Sequence, residues 1–197
     1  MSIFIWPKSK VINLIKILNI KKQNSDIEDE IKKYYQGGFP VLCSSGRTSI
    51  MLILKLFMDN NERKVGIFPY ASTCVREAIF KLANFSTLKE SYNISYNQWG
   101  YQNAEKGKTF LIEDSADTLT EINTNIFQYT QSNFIIWSLP KILGTHTGAL
   151  IWCREENDSI LLKNTIQRNK PSSYNLLLKI LSHFNSIFYK LWNNSVY

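Results

Sequence analysis

A chain of 197 residues, 44% hydrophobic and 20% charged, has room for one sizeable core but not for two large domains. Lys and Arg outnumber Asp and Glu by 23 to 16, and the net charge of +7 favours a phosphorylated or nucleotide-linked ligand over a basic one. The excess is diffuse, since KK at 21–22 and 32–33 is broken by DIEDE at 26–30, and neither zinc-finger spacing nor an arginine-rich run points to nucleic acid. Cys43, Cys74 and Cys153 are too widely spaced for a CxxC redox or zinc pair and too few for a disulfide framework.

The opening stretch MSIFIWPKSKVINLIKILNI is apolar and basic, but Pro7, Lys8, Lys10 and Lys16 interrupt it. It reads as neither a transmembrane span nor a cleavable signal, which leaves a cytoplasmic protein with at most peripheral membrane association. Ser25-Asp-Ile-Glu28 reads as a capping box opening a short helix that ends near Tyr35, with Gly37-Gly38 as its stop. FPVLC is a short apolar strand leading into SSGRTS at 44–49, and IMLILKLFM beyond it has the pattern of a helix with a mostly buried face. After the turn residues DNNERK, VGIF is strand-like; Pro69 follows, and then a helix from Thr73 to Ala83 with Val75, Ala78, Ile79 and Leu82 on its apolar side.

The stretch SYNISYNQWGYQ has no clear assignment. Order returns in KTFLIEDSAD, where Thr109 to Ile112 reads as a buried strand closing on acids, again in NFIIW, and in GALIWC, the last strand. NDSILLKNTIQ and SSYNLLLKILSHFNSIFYKLW read as helices, and in the second Leu177, Ile180, Leu181, Phe184, Ile187, Phe188 and Leu191 form one apolar stripe. Short apolar strands that alternate with helices and end in polar residues predict an α/β fold: a three-layer, mostly parallel sheet flanked by helices, with a site at the strand ends. The expected organisation is one compact domain over 1–197, with a motif-bearing core over 38–155 and C-terminal helices over 156–193.

Three loops carry candidate chemistry. Ser44-Ser45-Gly46-Arg47-Thr48-Ser49 precedes a helix, so its amides and the Thr48 and Ser49 hydroxyls can cradle a phosphate; the bland alternative is an ordinary N-cap. Glu113-Asp114 ends a strand, where a carboxylate can accept the proton of a ring nitrogen, or simply face solvent. Lys141 follows the apolar run FIIW, and a lysine there either snorkels to the surface or bonds a carbonyl as an imine. A phosphate cradle, a carboxylate for a pyridine nitrogen and an imine-forming lysine are together what a pyridoxal phosphate (PLP) enzyme requires.

In four ordered segments over roughly residues 38–155 the chain resembles the large domain of the DegT/DnrJ/EryC1/StrS family, sugar aminotransferases of fold type I. SSGRTSI resembles the family's phosphate segment, VGIFPYASTCVREAI its strand, proline, polar turn and helix, FLIEDSADTL its Glu-Asp-x-Ala-Gln/His segment, and WSLPKILGTHTGALI the stretch around the cofactor lysine. The resemblance implies that Gly46, Arg47, Thr48 and Ser49 hold the PLP phosphate with help from Ser138. It also implies that Asp114 pairs with the pyridine nitrogen and that Lys141 binds the aldehyde. It implies transfer of an amino group, usually from glutamate, to a keto-sugar carried on a nucleotide, in surface polysaccharide biosynthesis, by a homodimer whose sites borrow residues from the second subunit.

The departures are equally specific. Asp117 stands where the family has Gln or His against the cofactor's phenolic oxygen, and a carboxylate there repels a phenolate. Thr73 falls near the place of a ring-stacking aromatic, for which Tyr70 or Trp99 is the substitute, and His146-Thr147-Gly148 replaces a glycine-rich pair. The usual C-terminal small domain has no counterpart after residue 155. Three readings therefore stand at this stage: a small PLP-dependent aminotransferase; a degenerate homologue with a structural or regulatory role, or half of a split enzyme completed by another polypeptide; and an unrelated α/β domain.

Overall fold

The computed structural model describes residues 24–59, 64–68, 71–86, 92–97, 110–118, 120–145 and 147–169. The chain forms two compact units, Met1–Lys163 and Asn164–Tyr197, and the sheet lies wholly within the first. Of the second unit only residues 164–169 are described; the apolar stripe from Leu177 to Leu191, like the N-terminal stretch and the ring-stacking candidates Tyr70 and Trp99, lies outside the described residues. Among the described residues no helix is long and apolar enough to cross a membrane.

Helix α1 (Asn24–Lys32) leads to strand β1 (Phe39–Cys43), helix α2 (Gly46–Phe57) and strand β2 (Lys64–Ile67). Helix α3 (Thr73–Phe80) and strands β3 (Asn84–Ser86), β4 (Asn93–Tyr96), β5 (Ile112–Asp114) and β6 (Phe134–Ser138) follow. A short helix α4 (Leu139–Leu143), strand β7 (Ala149–Cys153) and helix α5 (Glu156–Arg168) complete the order. The seven strands make one sheet in the order β1-β7-β6-β5-β4-β2-β3. Pairs β2–β3, β2–β4, β4–β5 and β5–β6 are parallel, while β7 runs antiparallel to both β6 and β1. Since β7 opposes both its neighbours, β1 runs the same way as β6, and six of the seven strands share one direction.

Strands β6 and β7 are buried on both faces, which is why they read as continuous apolar runs. In β6 and β7 the residues Ile135, Trp137, Leu150 and Trp152 face one cluster with Tyr35, Ile126 and Phe127, and Ile31, Leu42, Leu139 and Ile142 pack around it. Tyr35, Trp137 and Trp152 meet edge to face with centroids 5.1 to 5.6 Å apart, the arrangement their ring quadrupoles favour. The alternate residues of β6 point to the other face, where Phe134 meets Phe57 of α2 at 4.7 Å and α2 buries Ile50, Ile53 and Leu54.

Two sequence expectations change. The strand expected over Thr109–Ile112 is instead Ile112–Asp114, so both acids lie within it rather than beyond it. The capping box expected at Ser25–Glu28 is replaced by a tertiary role for Glu28. Helix α1 spans Asn24–Lys32, and the buried Glu28 carboxylate accepts a hydrogen bond from the Leu42 amide at 2.7 Å and pairs with Lys163 Nζ at 2.8 Å. Glu28 thus ties α1 to the edge of β1, where the partly buried Leu42 amide takes the carboxylate as its acceptor. Replacing Glu28 by Ala leaves that amide and the Lys163 ammonium uncompensated, and is expected to lower stability by about 2 kcal/mol. Urea denaturation checks it: a lower midpoint with an unchanged slope is expected, and an unmoved midpoint refutes the assignment.

Candidate active site

The strands that share a direction end at one edge of the sheet, and the polar groups singled out by the sequence are carried there. A cavity of about 350 Å³ opens at this edge, lined by Ser45, Gly46 and Arg47 after β1, Ser72 and Cys74 at the start of α3, Tyr96 ending β4, Asp114 ending β5, and Ser138 and Lys141 after β6. Ligand sites at the carboxyl ends of parallel strands follow from the fold, because there the chain leaves the sheet and helices begin.

Ser45 caps α2: its Oγ accepts from the Thr48 amide at 3.2 Å and lies 2.9 Å from Thr48 Oγ1. The amides of Gly46 and Arg47, first in the helix, have no acceptor within the helix and face the cavity with the positive end of the helix dipole. A methyl group added at Gly46 would meet only Ile136 Cγ2, at 3.9 Å, so the fold itself does not require glycine there. The missing side chain leaves space on the cavity side, where an anion would approach the amides.

Lys141 sits in α4, which begins at Ser138, has a proline in its first turn and ends at Gly144 in the left-handed conformation with φ 67°. Gly148, at φ 113°, binds two parts of the site together: its carbonyl accepts from the Leu139 amide at 3.2 Å and its amide donates to the Ser44 carbonyl at 3.1 Å. The lysine turn is thereby fixed to the loop that opens α2. A second tie, from the Ser138 amide to the Ala116 carbonyl at 3.3 Å, fixes it to the end of β5.

Asp114 is 3% exposed. Its Oδ1 accepts from the Ala116 amide at 3.2 Å. Burial pushes its carboxyl up to about 6; the Ala116 amide and the nearby Lys141 charge oppose the shift, and Asp117 adds to it. Glu113, one residue earlier, points to the opposite face, where its carboxylate accepts from Asn97 Nδ2 at 2.7 Å and Ser115 Oγ at 3.0 Å. Strand alternation therefore divides the Glu-Asp pair, giving one acid a closed hydrogen-bond network and the other the cavity.

Of the residues expected at the site, Gly46, Arg47, Asp114, Ser138 and Lys141 line one cavity. Thr48, Ser49 and Asp117 do not. Thr48 is engaged with Ser45, and Ser49 is fully buried with its hydroxyl donating to the Ser45 carbonyl at 3.0 Å. Among the described residues, Asp117 Oδ1 is buried with no hydrogen-bond partner. Among the cavity residues that were missed, Ser72, Cys74 and Tyr96 are the polar ones outside the SSGRTS segment. Ser72 and Cys74 open a helix after a strand as Ser45 does, so the same strand–turn–helix signal could have found them. Tyr96 gave no local signal, because it reaches the site through its register opposite Asp114 in the neighbouring strand.

The sheet order matches the large domain of fold type I PLP-dependent aminotransferases, and the cavity with Asp114, Lys141 and the start of α2 lies at the carboxyl ends of its parallel strands. The chain belongs to the family described as "Putative PLP-dependent aminotransferase", whose profile matches residues 27–194. No curated protein sequence matches it at a significant level. A protein of the same description from Bacillus cereus ATCC 10987 superposes with a TM-score of 0.63 at 17% identity, over 80% of this chain and 55% of that one. A DegT DnrJ EryC1 StrS aminotransferase from Brucella abortus gives 0.61 at 14%, over 82% and 55%. Helicobacter pylori PseC, an aminotransferase involved in the biosynthesis of pseudoaminic acid, gives 0.60 at 11%, over 77% and 51%. The chain spans about half the length of these solved structures.

The raised Asp114 carboxyl makes stability depend on pH. An unfolded aspartate titrates near 3.9, so the fold binds this proton more tightly than the unfolded chain does. The destabilisation is therefore fully present above about 6 and is relieved as pH falls towards 4. Without cofactor, Asp114→Asn is expected to melt above the unaltered protein at pH 7.5, by the equivalent of up to about 3 kcal/mol, with the gain gone below pH 4. Thermal melts at the two pH values decide it, and a variant that melts lower at pH 7.5 contradicts the burial argument.

Proposed function

We propose that this chain is the cofactor-binding domain of an aminotransferase that moves an amino group from an amino-acid donor to a keto-sugar, nucleotide-linked, in surface polysaccharide biosynthesis. The observation that carries the reading is Asp114: a buried carboxylate with a raised pKa, in the same cavity as Lys141 and the start of α2. Such a carboxylate favours a ligand that brings it a proton or a positive charge, and the pyridine nitrogen of PLP is such a group. The residues fit the cofactor in kind. Gly46 and Arg47 offer amides and a guanidinium to a phosphate, Ser138 adds a hydroxyl, and Lys141 brings a primary amine.

When bound, PLP supplies an aldehyde carbon and an electron-withdrawing ring. In this reading Asp114 holds a proton on the ring nitrogen, and the low dielectric that raises its own pKa strengthens that ion pair. Lys141 would hold the aldehyde carbon through its amine and would also serve as the base that takes and returns a proton. Its placement in a turn anchored by Gly148 limits the arc of its amine. The sugar substrate is supported by the resemblance to sugar aminotransferases and by the solved relatives that include one in pseudoaminic acid biosynthesis. A nucleotide-linked sugar also suits a chain of net charge +7. A homodimer in the cytoplasm completes the reading, since a cavity at the edge of one domain needs a second surface to exclude water from imine chemistry.

Two measurements test it. Incubation with PLP followed by borohydride reduction and mass mapping is expected to place a pyridoxyl group on Lys141. Lys141→Ala is expected to lose the visible absorption band and transamination; an adduct on another lysine, or on none, overturns the assignment. Gly46→Ala separates ligand from fold. It is expected to leave the melting temperature of the cofactor-free protein unchanged or slightly higher, since alanine is favoured over glycine in helices, while weakening PLP binding at least about tenfold, roughly the loss of one charge-assisted hydrogen bond. Unaltered affinity removes the phosphate from this helix.

A further inference from the structure

The bound orientation implied by this cavity leaves one cofactor atom without an assigned partner. Gly46, at the phosphate end, lies over Ile136 of β6, and Asp114, at the ring-nitrogen end, closes β5. In PLP the phosphate arm and the phenolic oxygen lie on opposite sides of the line from ring nitrogen to aldehyde carbon. With the phosphate on the β6 side of that line, the phenolic oxygen faces the β4 side. The β4 residue in register with Asp114 is Tyr96, which lines the same cavity.

Resting on the reading of the cavity as a PLP site, we infer that Tyr96, rather than Asp117, donates the hydrogen bond to the cofactor's phenolic oxygen. Asp117 does not line the cavity, and as a carboxylate it accepts hydrogen bonds without donating any. Tyr96 has the right chemistry: its phenol carries an O–H that can donate to an acceptor in the cavity. Ser72 and Cys74, whose Oγ and Sγ lie 3.1 Å apart at the start of α3, line the same cavity. Burial and the charges of Asp114 and Asp117 push the Tyr96 phenol up, so that it stays a donor at neutral pH.

A donor at the phenolate draws charge away from the proton that this oxygen shares with the lysine-bound nitrogen, so the proton leaves at lower pH. Tyr96→Phe deletes only the donor. The test compares the full-length protein and Tyr96→Phe, each incubated with PLP, by borohydride mapping and by pH titration of the visible band. Both are expected to trap the pyridoxyl group on Lys141, with the titration midpoint of Tyr96→Phe raised by about one to two units, the size of a lost hydrogen bond to a charged acceptor. Adducts on Lys141 with a midpoint unmoved in Tyr96→Phe overturn the role of Tyr96 while leaving the cofactor site standing. No adduct in the unaltered protein overturns both. Should Tyr96→Phe fail to fold, Tyr96→Met, which also lacks a donor, takes its place, and an unmoved midpoint there overturns the proposal.

Discussion

A carboxylate removed from water is the constraint on which this structure turns. Asp114 is buried because β5 lies between β4 and β6 in the middle of the sheet, and burial raises its pKa more than the Ala116 amide and Lys141 lower it. The fold tolerates the imbalance because the remaining sheet is conventional. Strands β6 and β7 are apolar on both faces, and the adjacent acid Glu113 is satisfied by Asn97 and Ser115. The cost of burying Asp114 falls at the strand ends, where a ligand can relieve it.

Much of the frame was legible in the sequence because fully buried strands advertise themselves. FPVLC, FIIW and GALIWC are runs of apolar residues bounded by turns, and each is a strand in the structure. Strands β3 and β4 were not legible: Asn84–Ser86 and Asn93–Tyr96 are three and four residues long, half polar, and are strands because β2 and β5 pair with them. Glu28 misled for the same kind of reason. Its spacing from Ser25 matches a local cap, but its carboxylate is used by Leu42 and Lys163, which no local pattern contains.

The site divides along the same line. Asp114, Lys141 and the start of α2 were legible because each stands where a strand gives way to a turn or helix, a local event. Which acid of Glu113-Asp114 faces the cavity was not, because alternation along β5 decides it and the expected strand stopped two residues short. Tyr96 depended on register between two strands separated by a long connection, and a single sequence does not encode register visibly. Local punctuation therefore located Asp114, Lys141 and the start of α2, while pairing within the sheet selected the residues that surround them in the cavity.

The two carboxylates near the cavity also act on one another. Asp117 keeps one buried oxygen without a hydrogen-bond partner among the described residues and pushes both Asp114 and Tyr96 towards their protonated forms. For a ring placed against Asp114, that second negative charge strengthens the hold on a proton at the ring nitrogen, which serves the electron sink. The same charge opposes ionisation of the ring's phenol, which weakens it. A neutral hydroxyl on the phenol side resolves the conflict, because it stabilises the phenolate without adding charge, and the field that works against the phenolate is also what keeps the Tyr96 hydroxyl protonated.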